Sequence, residues 1–385
     1  MSRTLPPMPD PSAPARAARR ILALAGSDRT AARKALERLE PEAQVALVCE
    51  SPISLRAGLL GLVSHPEEVI PRMPPAELCF VVKAVGLSDA GWLLEHASAE
   101  QITTAIDLDA WSALVPDRGR IGAWLDALRD AGEETLLRAA HALDFELLAL
   151  ELRSRVSVIM SGRNEDVDLP SGALTLDGQF HVVPSKAGDD LEDVLTLLRV
   201  LFQHDYWFYH RLLQAVSADL EHELEEWALR WRNGRLQDLG FPQLEDAKRI
   251  YAWLSPERLA ELPSEPHAIE VGEWPLPVWM PSLPVAGEGG ELLFRSIAAL
   301  REEERRPLLF AFLALANRLA VADGLPLGDV ESLPQAIAKA EGTASRGLAY
   351  LAQKNGVEPT EVLRRATLER LFMVGSNIMT KETGR

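Results

Sequence analysis

From residue 16 to residue 155, apolar side chains recur at helical spacing in short runs, each opened by similar punctuation. Glu40-Pro41-Glu42-Ala43, Met73-Pro74-Pro75-Ala76-Glu77, Leu87-Ser88-Asp89-Ala90 and Ala97-Ser98-Ala99-Glu100 all place proline, serine or aspartate where a helix would begin. Proline at a first helical position forfeits no hydrogen bond, and serine or aspartate caps exposed amides. Leu78, Val81, Val82 and Val85 follow one start; Trp92, Leu93 and Leu94 follow another. A helix of about ten residues cannot bury its apolar stripe alone, so the pattern predicts stacking in a superhelix. The unit spacing drifts from Ala76 to Ala90 to Glu100, which makes the repetition degenerate.

Between Ser161 and Lys186 the period changes. Ala173-Leu174-Thr175-Leu176, then Asp177-Gly178, then Gln179-Phe180-His181-Val182-Val183 alternates apolar and polar residues around an aspartate–glycine turn. That is the strongest short-range hairpin signal, and a lone hairpin must lie on other elements to persist. Helical spacing returns near Asp189 with Leu191, Val194, Leu195, Leu198, Leu201 and Phe202. Further helices are expected from Ala218 to a break at Asn233-Gly234, and from Pro242 through Tyr251 to Trp253. A final helical bundle is expected over 291–306, 307–322, 330–354 and 359–374. The fold class is therefore mainly α: an N-terminal short-helix superhelix, a small β-hairpin, and a C-terminal helical domain. The expected layout is a disordered basic leader (1–20), a superhelix domain (21–155), a linker with the hairpin (156–188), a helical domain (189–376) and a tail (377–385). Six prolines and four glycines over 263–290 predict an extended crossing segment in the last domain.

Met73-Pro-Pro-Ala-Glu-Leu78, Leu87-Ser-Asp-Ala-Gly-Trp-Leu-Leu94 and Ala99-Glu-Gln-Ile102 resemble the short-helix superhelix of the cytosolic N domain of magnesium transporters. A longer likeness runs through nearly the whole chain. Asp107-Leu-Asp-Ala-Trp111, Trp124-Leu-Asp-Ala-Leu128, Ala131-Gly-Glu-Glu134, Leu143-Asp-Phe-Glu-Leu-Leu148, Arg232-Asn-Gly-Arg-Leu-Gln-Asp-Leu-Gly-Phe-Pro242 and 247–251 are similar to a bacterial family, domain of unknown function 6178. That resemblance implies a helical fold and supplies no catalytic residue.

Composition narrows the function classes. The 385 residues are 47% hydrophobic and 25% charged, enough apolar material for a sizeable core. With 57 acidic against 40 basic side chains the formal charge is −17, which argues against nucleic acid, since phosphate binding needs a cationic surface. The charge is uneven: residues 1–38 carry net +5, so the arm could touch an anionic surface or remain a solvated leader. Two cysteines, Cys49 and Cys79, are too few for a disulfide framework. The leader lacks the apolar block of a secretory signal. The apolar run 307–317 is too short for a bilayer span, and four prolines interrupt the uncharged run 274–287. A cytoplasmic protein without membrane insertion is expected.

Candidate chemistry is sparse. His204-Asp205-Tyr206-Trp207-Phe208-Tyr209-His210, followed by His222 and Glu226, concentrates imidazole and carboxylate, the material of divalent metal sites. His204 and His210, six residues apart, lie on different faces of a helix; His222 and Glu226 share a face without a second histidine. His204, Asp205, His210, His222 and Glu226 are therefore weak metal candidates, and the aromatic run reads equally as a core or docking wall. Arg232, Asn233, Arg235 and Asp238, close to Arg230, form the best ligand-facing candidate, because arginine forks bind phosphate or carboxylate bidentately. The alternative there is an arginine–carboxylate network fixing a corner, with Phe241 in the core. Glu288 and Glu291 and the missing lysine exclude a phosphate loop over 285–292. No glycine-flanked serine elbow is present, and the cysteines read as buried structural thiols.

Three readings follow. The first is a non-enzymatic helical scaffold whose acidic surface selects basic or amphipathic protein partners, with no cofactor. The second is a regulator responsive to a metal or small anion at an acidic groove or at the Arg230–Arg235 corner. The third is an enzyme in which His204, Asp205 and His210 converge with His181.

Overall fold

The computed structural model describes residues 13–161, 169–170, 172–186, 191–265 and 291–383. Among them the chain is mainly α, with twenty-one α-helices and two antiparallel two-stranded sheets. It divides into two compact units. The N-terminal unit is Ile21–Cys49 with Ile53–Arg235; the C-terminal unit is Leu236–Arg385 with Met1–Arg20 and Glu50–Pro52. The division falls at Arg235, not within the expected linker 156–188. Helix α1 (Ala13–Ser27) begins inside the stretch expected to be a disordered leader, and residues 1–12 lie outside the described residues.

In the N-terminal unit the expected punctuation starts real helices. After α2 (Arg29–Glu37), capped by Asp28, come α3 (Pro41–Cys49), α4 (Ile53–Leu60), α5 (Pro66–Val69), α6 (Pro75–Val85), α7 (Gly91–Leu94) and α8 (Ala99–Asp109). Ser98 and Gln101 form a capping box on α8, and the Gln101 amide also donates to the Ile70 and Met73 carbonyls at 2.7 and 2.8 Å. Helix α6 is buried at every position from Ala76 to Val82 and packs against both α4 and α8. Its Glu77 pairs with Arg56 of α4, both buried. Cys49 and Cys79 are fully buried, and burial pushes the Cys79 thiol well above its ordinary pKa. The order α4, α6, α8, then α10 (Glu133–Ala142) packs each helix on the next, with α9 (Arg118–Asp130) against α7 and α10.

The strands depart from expectation. A hairpin of β1 (Trp111–Ser112) and β2 (Val115–Pro116), with Ala113 at φ +55°, lacks the glycine or asparagine signal that announces such turns. The Asp177-Gly178 turn is present: Gly178 has φ +73°, and the Asp177 carboxylate accepts from the Gln179 and Phe180 amides at 2.8 and 2.9 Å. Its first arm, however, contributes one bridge, Leu174 to Val182. The full-length partner of β4 (Phe180–Pro184) is β3 (Val156–Met160), the direct continuation of α11 (Phe145–Arg155). β4 thus takes a neighbour on both edges at Val182, and Phe180 and Val182 are buried.

Next come α12 (Glu192–His204), α13 (Tyr206–Ala218) and α14 (Glu221–Asp238). The expected break at Asn233-Gly234 does not occur: α14 runs through it, because Arg232 and Arg235 on either side are held by the N-terminal unit. The C-terminal unit continues with α15 (Leu244–Lys248), α16 (Pro256–Leu259), α17 (Leu292–Ala298), α18 (Glu302–Ala322), α19 (Ser332–Asn355), α20 (Pro359–Arg365) and α21 (Leu368–Thr383). Residues 266–290, most of the expected crossing segment, lie outside the described residues. Pro307 sits inside α18 and does not start it. A proline there costs about 3 kcal/mol; burial of Leu308, Phe312, Leu315 and Leu319 along the same helix offsets it. Helix α21 also extends through most of the expected tail. Helices α19 and α21 cross with their backbones in contact. A Cβ built on Gly347 would stand 1.9 Å from the Leu371 carbonyl oxygen, and one on Gly375 1.9 Å from that of Thr343.

Candidate functional site

Arg232 and Arg235, three residues apart on α14, point the same way, into the N-terminal unit. Arg235 meets two carboxylates. Its Nε and Nη2 donate to Asp107 of α8 at 2.6 and 2.9 Å, and its Nη1 and Nη2 donate to Asp144 at 2.8 and 2.6 Å. Asp144 occupies the N-cap position of α11 yet caps nothing, since its side chain is committed to Arg235. Arg232 donates to the Asp107 and Ala113 carbonyls at 2.8 and 3.2 Å and lies 4.8 Å above the Trp111 ring. Burial alone would lower the Arg235 pKa, but the hydrogen bonds it donates to Asp107 and Asp144 outweigh that and raise the guanidinium above its ordinary value. Burial brings Arg232 down to about 10, still protonated at neutral pH. The adjoining carboxylate Asp109 accepts from Trp124 Nε1 at 2.9 Å and pairs with Lys83 at 2.8 Å. The stretches Asp107–Trp111, Trp124, Asp144 and Arg232–Arg235, separate in sequence, are thus one hydrogen-bonded framework.

This geometry matches the corner-fixing arrangement. Arg235 gives Nε, Nη1 and Nη2 to carboxylates and Arg232 gives Nε and Nη1 to backbone carbonyls, so both forks are engaged within the chain. Asn233 and Asp238, the other two candidates there, are not among the groups that hold these guanidiniums, and Asp238 is exposed.

The histidine-rich run is dispersed in the same way. His204 meets Glu133 at 2.9 Å, Asp205 caps α13 and meets His141 at 3.2 Å, and His181 meets Ser161 at 3.0 Å. His210 packs edge-on to Phe180, and His222 and Glu226 are exposed on α14. The convergence of His204, Asp205 and His210 with His181 that an active site requires is absent, each being held by a different partner. No group of three or more His, Cys, Asp or Glu among the described residues could hold a metal ion. The aromatic run divides by face: Tyr209 is buried, whereas Trp207 is 72% exposed and Tyr206 38%.

Two features escaped the sequence reading. Glu151 of α11 is 4% exposed, lines a small cavity with Leu125, Asp126, Arg129, Arg155 and Asp193, and its Oε2 has no hydrogen-bond partner. Burial pushes this carboxyl up to about 7, against the pull of Arg155 and Arg118 and with a push from Asp126. The available signal was an acid inside the run Leu147–Leu152, where every neighbour is apolar and buried. The second feature is the stacked pair Trp227 and Trp231 on α14, ring centroids 5.9 Å apart, both nearly half exposed. Its signal was two tryptophans one helical turn apart.

A family model described as Family of unknown function (DUF6178) matches residues 33–381, so the chain belongs to that family. No curated protein and no solved structure matches the chain, and nothing in these findings supports the likeness to the magnesium-transporter N domain. No helix among the described residues is long and apolar enough to cross a membrane.

Proposed function

We propose that this member of the family of unknown function acts without chemistry of its own, as a helical interaction module that takes a basic or amphipathic segment of another protein. The observation that carries the reading is Trp207: a tryptophan 72% exposed beside a partly exposed Tyr206, on a chain of formal charge −17. Tryptophan, tyrosine and arginine dominate the energetics of protein interfaces, and an exposed indole both buries apolar area and attracts cations. A net acidic chain speeds encounter with basic partners and makes it sensitive to salt. The arginines that the sequence offered for an anion are engaged within the chain, Arg235 with Asp107 and Asp144 foremost.

The test is affinity purification with wild-type chain and Trp207→Ala, at low and high salt. A partner recovered by the wild type, and lost both on substitution and at high salt, is the expected result. Recovery of the same proteins by both chains, or of none by either, would overturn the reading.

A further inference from the structure

Helix α14 buries one seam, Leu224, Ala228 and Arg232, and turns an adjoining face partly to solvent. That outer face presents Leu220 just before the helix, then Glu223, Trp227, Arg230, Trp231 and Gly234 at helical spacing. Leu220 is 53% exposed, Trp227 45% and Trp231 47%, the apolar members of a half-exposed strip about four turns long. Two details give it a direction. Its N-terminal half carries the exposed acids Glu223 and Glu226, and its C-terminal half carries exposed Arg230, whose guanidinium lies 5.1 Å over the Trp227 ring. Glu223, Glu226 and Arg230 make no ion pair among the described residues.

The second detail is Gly234. Glycine inside a helix is the costliest residue after proline. A methyl group added at Gly234 would meet nothing within 4 Å, so no contact of this chain requires the position to be small. The position is therefore open to an incoming side chain.

We propose that a second copy of this chain docks here, α14 against α14, antiparallel about a two-fold axis at Trp227. That axis sets Leu220 of each copy opposite Gly234 of the other, large into small. Trp227 meets its own counterpart, and Glu223 and Glu226 lie against the other copy's Arg230. A closed two-fold contact must be complementary to itself, and a stripe bulky and acidic at one end, small and basic at the other, meets that condition only when run antiparallel. A uniformly basic segment would set like charge against Arg230, and so fits the stripe less well. The inference is independent of the partner reading at Trp207.

The oligomeric state of the full chain tests it, by sedimentation velocity from about 1 to 50 µM, a span that reaches ordinary dimer affinities. The wild type is expected to approach twice the chain mass. Glu223→Arg or Arg230→Glu each weakens dimerisation about tenfold, since every change acts twice across the axis, and the double reversal restores it. Gly234→Leu improves helix propensity, so at a concentration well below about 1 µM, where both chains are monomeric, it melts no lower than wild type, yet it fails to dimerise at about 50 µM; this separates docking from folding. A wild type that stays monomeric throughout, a dimer indifferent to these changes, or charge reversals that do not rescue each other would each overturn the proposal. Binding of a different protein to the stripe of a monomeric chain would overturn it as well.

Discussion

Replacing Glu151 by glutamine should make the protein more stable at alkaline pH and change little in acid. Burial beside a cavity pushes the carboxyl of the folded chain up to about 7, from the ordinary 4.5 of an open one. Below about pH 4.5 both states are protonated and the group is neutral in its effect. Between the two values the unfolded chain releases its proton while the folded chain keeps it, so stability falls as pH rises. Above about 7 both are ionised, and the folded state carries the full penalty of a buried, incompletely partnered carboxylate. A gap of about 2.5 units at 1.36 kcal/mol each sets that penalty near 3 kcal/mol, undiluted by solvent because the side chain is almost wholly covered. Glutamine mimics the protonated acid in shape and never ionises. Urea unfolding of both chains at fixed pH from 5 to 8 gives the difference in stability directly. It should grow from under about 1 kcal/mol at pH 5 to about 3 kcal/mol at pH 8 in favour of the variant, following one proton. A difference that stays flat across the range, or a variant weaker than wild type at pH 8, would mean that Arg155 and Arg118 stabilise the ionised form and that the burial argument is wrong.

Arg235→Gln leaves Asp107 and Asp144 without their cation, and loss of one member of a buried pair costs about 3–5 kcal/mol, seen as a lower urea midpoint. Gly347→Ala drives a methyl into the backbone of α21 and should cost upwards of 3 kcal/mol in thermal melting; Gly342→Ala on the same helix, with nothing within 4 Å, should be neutral or slightly stabilising. Ser98→Ala removes the cap of α8 and should cost about 1 kcal/mol by chemical denaturation, with Ser98→Thr retaining most of it.

What the sequence made legible is what short-range physics decides. Proline and serine announced the starts of α3, α6 and α8, because capping and fixed φ act within one turn. The Asp177-Gly178 turn was legible for the same reason. Choice of partner was not: β4 prefers β3 to its near neighbour at 173–176, and nothing within the turn reveals that. The arginine corner shows the boundary well. Two arginines on one helical face were visible, but the carboxylates that receive them lie 128 and 91 residues away, at Asp107 and Asp144. Gly234 and Pro307 looked like helix breaks because propensity was weighed without the packing that overrides it. Glu151 is an acid, a residue type that is rarely buried, and only its apolar neighbours in 147–152 mark the position as inward.

The two sulfhydryls, Cys49 and Cys79, both belong to the N-terminal unit and have no exposed surface. A reagent that reacts only with thiolate in solution cannot reach them until that unit opens. Pulse alkylation therefore times the opening of one half of the protein and is blind to the other, which has no cysteine at all. The chain carries a built-in gauge for asking whether its halves come apart together or in turn.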